Sequence, residues 1–205
     1  MLYFDIGANV GKWATANINK ADTIICVEAS PTTYTQLINA TKTNTKIKSL
    51  NVAICDNSGQ DITFYDCTTA STISTLNKDW LTDSSSRFCN YPYREIKCKT
   101  MTIDSLIETY GIPDIIKVDV EGGEFSCLSS LTQMVPLLCF EWASELNTVT
   151  FECLHHLATL GFTQFFVQMG DEYTFRPVTF ISVASITAIL EKTIPKREWG
   201  MIWCK

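Results

Sequence analysis

Short apolar runs alternate along this chain with stretches of helical period. Leu2-Tyr3-Phe4 is an apolar run ending in Asp5; Gly7, Asn9 and Gly11 follow at alternate positions, and a helical pattern continues through Trp13, Ala14 and Ile18. Thr23 to Val27 is a second buried-strand run with Glu28 at its tip, and Ser30-Pro31 opens a helix reaching residue 42. Ile47 to Cys55 reads as the third strand, 56–59 as a turn, and the alternating run 61–65 as one arm of a hairpin. Residues 67–75 are rich in Ser and Thr, and 78–93 show no period, so both read as loop. Trp80, Phe88, Tyr91 and Tyr93 in that loop either stack on a sugar ring or pack the loop down.

Residues 95–101 read as a strand, and a helix from Thr102 stops near Gly111-Ile112-Pro113. The run from Asp114 is a strand whose charged residues alternate at its carboxyl end. A helix over 124–132, a strand over 135–140 ending at Glu141-Trp142, and a helix over 147–160 stopping at Gly161 follow. The pair 162–169 and 199–204 closes the sheet, with an irregular insert between. Strand–helix alternation argues an α/β fold: a doubly wound, Rossmann-like, mostly parallel seven-stranded sheet in the order 3-2-1-4-5-7-6. Helices cover both faces, a β-hairpin/loop insertion interrupts the series, and the last strand pair makes one edge antiparallel.

Composition narrows the partners. The 205 residues, 46% hydrophobic, suit a single domain spanning 1–205. A net charge of −6 with no basic stripe argues against nucleic acid. No apolar run approaches the roughly 20 residues of a membrane span, and the first residues do not form a signal peptide. The nine cysteines are odd in number and lack C-x-x-C spacing, which reads as reduced, buried thiols in an intracellular, cytoplasmic setting. The first strand begins at residue 2 with nothing ahead of it, so the chain is expected to be cut from a longer polypeptide with further domains.

The chemistry concentrates at strand tips. In an open α/β sheet the turn after the first strand lies at the ligand-binding edge. Gly7 and Gly11 would leave no side chain between backbone and ligand, and the helix start suits a carboxylate or phosphate. Glu28, at the tip of the second strand, can accept both hydroxyls of a ribose diol. Lys117, Asp119 and Glu121 are spaced by two, so along a strand they share one face. Three charges there need a cleft, which the strand order places beside Gly7 and Asn9. The alternative is a Lys–carboxylate pair kept for structure alone.

The motifs D-I-G-A-N-V-G at 5–11, V-E-A-S-P at 27–31, T-I-D-S-L at 102–106 and K-V-D-V-E-G-G-E at 117–124 resemble the FkbM-type methyltransferases, class I enzymes that use S-adenosylmethionine. The resemblance runs from residue 2 to about 142. It implies that Asp5, Gly7, Asn9 and Gly11 surround the methionine part of the cofactor and that Glu28 binds the ribose. Ser30 and the backbone near Val52 and Ala53 would border the adenine. Asp119 would lie near the cofactor amino group or methyl, with Glu121 and Lys117 facing the acceptor. Ala29-Ser30-Pro31 departs from the Glu-Pro that commonly follows a bulky residue in the family, though acid and proline both survive.

The resemblance implies O-methylation of a hydroxyl, with a sugar, such as a deoxyhexose in a glycan, as the expected acceptor. A protonated alcohol needs a base. Glu121 is the first choice, Asp119 the second, and Glu141 is a further carboxylate at a strand tip. Lys117 would orient the base or steady alkoxide charge. A divalent metal on the carboxylates is conceivable, but no ligand spacing indicates one, and none is assigned. His155 and His156 read as ordinary helix residues. The rivals are an NAD-dependent oxidoreductase, whose pyrophosphate loop would want G-x-G-x-x-G, and a non-catalytic cofactor-binding module of a larger protein. A nucleic-acid methyltransferase would want a basic groove and N/D-P-P-Y/F, and neither is present.

Overall fold

The computed structural model describes residues 1–192 and 197–205. Its central sheet is built from β1 (Leu2–Ile6), β2 (Thr23–Val27), β3 (Ile47–Leu50), β7 (Ile115–Val118), β8 (Leu138–Ala143), β9 (Phe165–Met169) and β10 (Trp199–Cys204). A second small sheet holds β4 (Ala53–Ile54), β5 (Asp61–Asp66) and β6 (Arg94–Met101). The helices are α1 (Lys12–Asn17), α2 (Pro31–Thr41), α3 (Asp79–Thr82), α4 (Ile103–Tyr110), α5 (Glu124–Leu128), α6 (Asn147–Leu160) and α7 (Val183–Leu190). The central order is β3-β2-β1-β7-β8-β10-β9. Counted along the sheet alone this is 3-2-1-4-5-7-6, as expected. Only β10 runs antiparallel to its neighbours.

Strand alternation sorts the side chains. Phe4, Ile6, Ile116, Val118 and Phe140 face one side, packed with Leu106, Leu128 and Leu157 of α4, α5 and α6. Tyr3, Ile24, Cys26 and Ile115 face the other, against Trp13 and Ala14 of α1 and Leu37 of α2. Ser30 caps α2 by accepting from Thr33 N at 3.3 Å, with Pro31 at the first helical position. α6 stops at Gly161, φ 109°. All nine cysteines are free, and eight are buried.

Five elements differ from expectation. The run Ile47 to Cys55 divides: β3 pairs with β2, then the chain leaves the sheet at Asn51, whose amide donates to the Glu28 carbonyl at 2.8 Å, and β4 joins β6. The helix expected over 124–132 ends at Leu128, where the Ser130 hydroxyl accepts from Ile103 N at 2.8 Å and caps the neighbouring α4 instead. β7 stops at Val118, before the last of the alternating charges. The stretch 78–93 contains α3 and is packed down: Trp80 and Phe88 lie edge to face at 5.2 Å, with Trp80 buried. The insert after β9 contains α7, whose β-branched run has weak helix propensity but whose Ile186 and Leu190 fill the core. Residues 193–196 of that insert lie outside the described residues.

Gly200 marks the tightest strand contact. A Cβ there would lie 2.0 Å from the Gln168 carbonyl oxygen, whereas one at Gly59 would meet nothing within 4 Å. Gly200→Ala is therefore expected to cost well over 2 kcal/mol in urea unfolding. Gly59→Ala, strained only by its φ of +77°, should cost about 1 kcal/mol. Equal losses would contradict the steric reading.

Candidate active site

Asp5 and Lys117 are register partners across the β1–β7 ladder, on the face that also carries Ile115. The buried Lys117 ammonium lies 3.4 Å from Asp5 Oδ1 and 3.0 Å from Asp119 Oδ2, and donates to the Gly7 carbonyl at 3.2 Å. Burial alone would lower its pKa, but Asp119 and Asp5 outweigh burial and hold it above the ordinary lysine value. For fully buried Asp5 burial dominates and raises the carboxyl, with Lys117 opposing. Lys117 thus fastens the glycine turn and Asp119 together, and its ammonium is engaged by protein groups rather than free to meet an acceptor.

Both glycines serve backbone packing, and Gly7 also lines the cavity, whereas Gly11 does not. Gly7 has φ +76°, and a Cβ on it would sit 1.7 Å from the Asp119 carbonyl oxygen. Gly11 has φ +82°, and its Cβ would press on Leu37 and Thr41 of α2 at 2.8 and 3.0 Å. Asp5 and Gly11 lie behind the turn, while Gly7, Ala8 and Asn9 line a cavity.

That cavity, about 910 Å³ counting its open mouth, runs along the carboxyl edge of β2, β1 and β7. Sites for small ligands span roughly 300–1,000 Å³. Glu28 lines it. Its Oε2 accepts from Asn9 N and its Oε1 from Ser30 N, both at 2.9 Å, and each oxygen keeps acceptor capacity for a diol. Burial pushes Glu28 up to about 7 despite those two backbone donors. Val52, Ala53 and Phe64 form an apolar wall. Ser30 is fully buried and occupied as a helix cap, so it does not reach the cavity.

The other end of the cavity is acidic. One carboxylate oxygen each from Asp119, Glu121 and Glu141 lies within 4.8 Å of the others, a donor set suited to a hard cation. The sequence shows no such spacing because Glu141 arrives from β8. Glu121 is not on the strand, so two-residue alternation does not place it. It occupies a left-handed turn, φ 57°, with Gly122 at φ 85° beside it. Three donors from one segment hold this turn: Thr75 Oγ1 to the Glu121 carbonyl at 2.6 Å, Asn77 Nδ2 to the Gly122 carbonyl at 3.1 Å, and Trp80 Nε1 to Glu121 Oε2 at 3.2 Å. Burial, then Asp119, drives Glu121 well above the usual carboxylate range, and burial, then Glu121, does the same for Glu141.

Sequence reading missed the roles of four residues. Trp80 stood out as an aromatic, but its indole N–H grips Glu121. Glu124 is buried with Oε1 accepting from Val120 N at 3.1 Å, and burial raises it to about 7. Asp171 and Tyr173, from the insert after β9, line the charged end. His156 contacts the Leu131 carbonyl at 3.1 Å, in keeping with an ordinary helix residue.

Sheet order, glycine turn and acid-tipped strands are those of a class I S-adenosylmethionine-dependent methyltransferase fold. The chain belongs to the FkbM methyltransferase family: the model described as "Methyltransferase FkbM domain" matches residues 5–176. Among solved structures the chain is similar to a precorrin 8w decarboxylase from Methanobacterium thermoautotrophicum, at 10% identity and TM-score 0.50, covering 100% of this chain and 81% of that one. It is similar to Aeropyrum pernix fibrillarin with natively bound S-adenosyl-L-methionine, at 9% identity and TM-score 0.50, covering 100% and 65%. No curated protein sequence matches. The cofactor is S-adenosylmethionine, and the cavity fits it: a buried carboxylate with spare acceptor capacity, an apolar wall and a charged end match ribose, adenine and amino-acid tail. No helix among the described residues is long and apolar enough to cross a membrane.

Glu28 and Glu124 hold protons to about pH 7, whereas an unfolded Glu ionises near 4.3. Between those values the unfolded chain releases protons that the folded chain keeps. Stability of the free protein should therefore fall as pH rises from about 4.5 to 7. Urea unfolding at pH 5, 6, 7 and 8 checks this, and Glu124→Gln should flatten the slope. A stability that rises with pH would refute it.

Proposed function

We propose that the protein methylates a hydroxyl group, most suitably of a sugar or comparable polyol, with Glu121 as the base. The supporting observation is the carboxylate group of Asp119, Glu121 and Glu141, where the first two line the cofactor cavity at the tip of β7. When bound, S-adenosylmethionine supplies an electrophilic methyl on a sulfonium. The chain's residues must hold a hydroxyl in line with it and remove its proton. Carboxylates only accept when ionised, so an acidic mouth favours acceptors rich in hydroxyl donors. Asp119, fixed by Lys117, and Glu141 flank the base, and Trp80 aims it. Trp80 and Phe88 are packed against each other, so the case for a sugar rests on the acidic mouth and the family rather than on aromatic stacking.

A second reading has one observation behind it, the approach of three carboxylate oxygens within 4.8 Å. A divalent cation there would acidify the acceptor hydroxyl.

Glu121→Gln is expected to lower turnover by roughly 10²–10⁴-fold with S-adenosylhomocysteine affinity held within about twofold. In the wild type, rate should climb with pH through a limb above the ordinary carboxylate range, because Glu121 must lose its proton to act. Screening sugar acceptors by mass spectrometry identifies the product. Methylation confined to amines or carbon would sink the hydroxyl assignment. Turnover lost in EDTA and restored by Mg²⁺ would favour the cation over the base acting alone.

A further inference from the structure

The segment after β9 contributes a wall to a site whose other parts lie more than a hundred residues earlier. β9 ends at Met169, and Gly170 N donates to the Trp199 carbonyl at 2.9 Å. The chain then reaches α1. The fully buried Asn17 donates from Nδ2 to the Tyr173 carbonyl at 2.9 Å and accepts from Arg176 Nη2 at 2.8 Å. The Arg176 guanidinium lies over Trp13 at 5.7 Å and Trp203 at 5.1 Å. These contacts fix Asp171 and Tyr173 at the cavity, where Lys12 and Trp13 of α1 also stand.

The charges at this end are unequally satisfied. Lys117, Asp5 and Asp119 compensate one another. Lys12 is solvent-exposed and Asp171 half-buried within electrostatic reach of Lys117; among the described residues neither has an ion pair or a side-chain hydrogen bond, although both line the same cavity. An unpaired cation and an unpaired anion across a shared space match a zwitterion. The opposite end, at Val52, Ala53 and Phe64, is apolar. The cofactor has the same polarity, with a flat apolar base at one end and an ammonium and carboxylate at the other.

We propose that Asp171 and Lys12 form the subsite for the amino-acid tail of S-adenosylmethionine, Asp171 accepting from the ammonium and Lys12 pairing with the carboxylate, with the Tyr173 hydroxyl beside them. The 170–176 segment is then a cofactor-binding element as well as a connection between strands. Its carboxyl is already poised for a cation: burial raises Asp171 to about 6, and Lys117 opposes that rise. The inference rests on the cofactor and not on the hydroxyl acceptor, so its test reads binding alone.

Calorimetric titration with S-adenosylhomocysteine and with 5′-methylthioadenosine, which lacks the amino-acid tail, decides it. The wild type should bind the homocysteine compound more tightly. Asp171→Asn should weaken that compound by roughly tenfold or more and leave methylthioadenosine within about twofold. Lys12→Met should show the same selectivity. Glu28→Gln, on the ribose side, should weaken both. The unchanged methylthioadenosine affinity serves as the check on folding. Equal loss of both ligands in Asp171→Asn, no loss of either, or a wild type indifferent to the tail would each overturn the assignment.

Discussion

The buried ammonium of Lys117 is the contact on which the site depends. It sits opposite Asp5 in the ladder, so the register of β1 against β7 sets the pairing. The same nitrogen reaches the Gly7 carbonyl and the Asp119 carboxylate, joining the turn after β1 to the tip of β7. Gly7 makes that approach possible, since any side chain there would collide with the Asp119 carbonyl. Breaking a buried pair by removing one partner typically costs about 3–5 kcal/mol. The ion pair and the glycine are one device: the first draws two strand tips together, and the second lets them meet.

The sheet and its order are legible because each central strand is a short apolar run closed by a charged or glycine-rich turn. The first half of the site is legible for a related reason. Asp5, Gly7, Asn9 and Glu28 lie within one strand–helix–strand unit, so local pattern predicts their convergence. Other residues come together only through tertiary pairing. Trp80 reaches Glu121 across 41 residues and Arg87 clasps Glu145 with two bonds, at 2.6 and 2.5 Å, across 58. Isolated buried groups with distant partners leave no period in the sequence. Glu121 is instructive in another way. Alternation along a strand predicts that it faces the cleft, and it does line the cavity, but through a left-handed turn after the strand has ended.

The acidic rim limits what can enter. With Asp119, Glu121 and Glu141 so close, full ionisation is unfavourable, and the cluster holds protons that ordinary carboxyls would have lost. Those retained protons limit the negative potential at the cavity mouth, which grows as the cluster ionises on a chain already of net charge −6. Anionic acceptors meet repulsion, whereas neutral hydroxyl donors or cations meet acceptors.

The rigid edge and the irregular segments divide the work. The strand tips bring the parts that the sheet register positions: the turn at Gly7, Glu28, and the Lys117–Asp119 pair. The strap at 71–80 and the segment at 170–176 supply the walls. Each is anchored to the fold by specific polar bonds together with apolar contacts: Asn9 Nδ2 to Ser71 Oγ at 3.2 Å with Ile73 and Trp80 buried for the strap, and Asn17 to Tyr173 with Phe175 against Phe166 and Trp203 for the other. Acceptor choice is then expected to lie with the strap, which touches Glu121, and cofactor-tail recognition with residues 170–176. One sheet edge can thus keep a fixed cofactor geometry while the wall facing the acceptor varies.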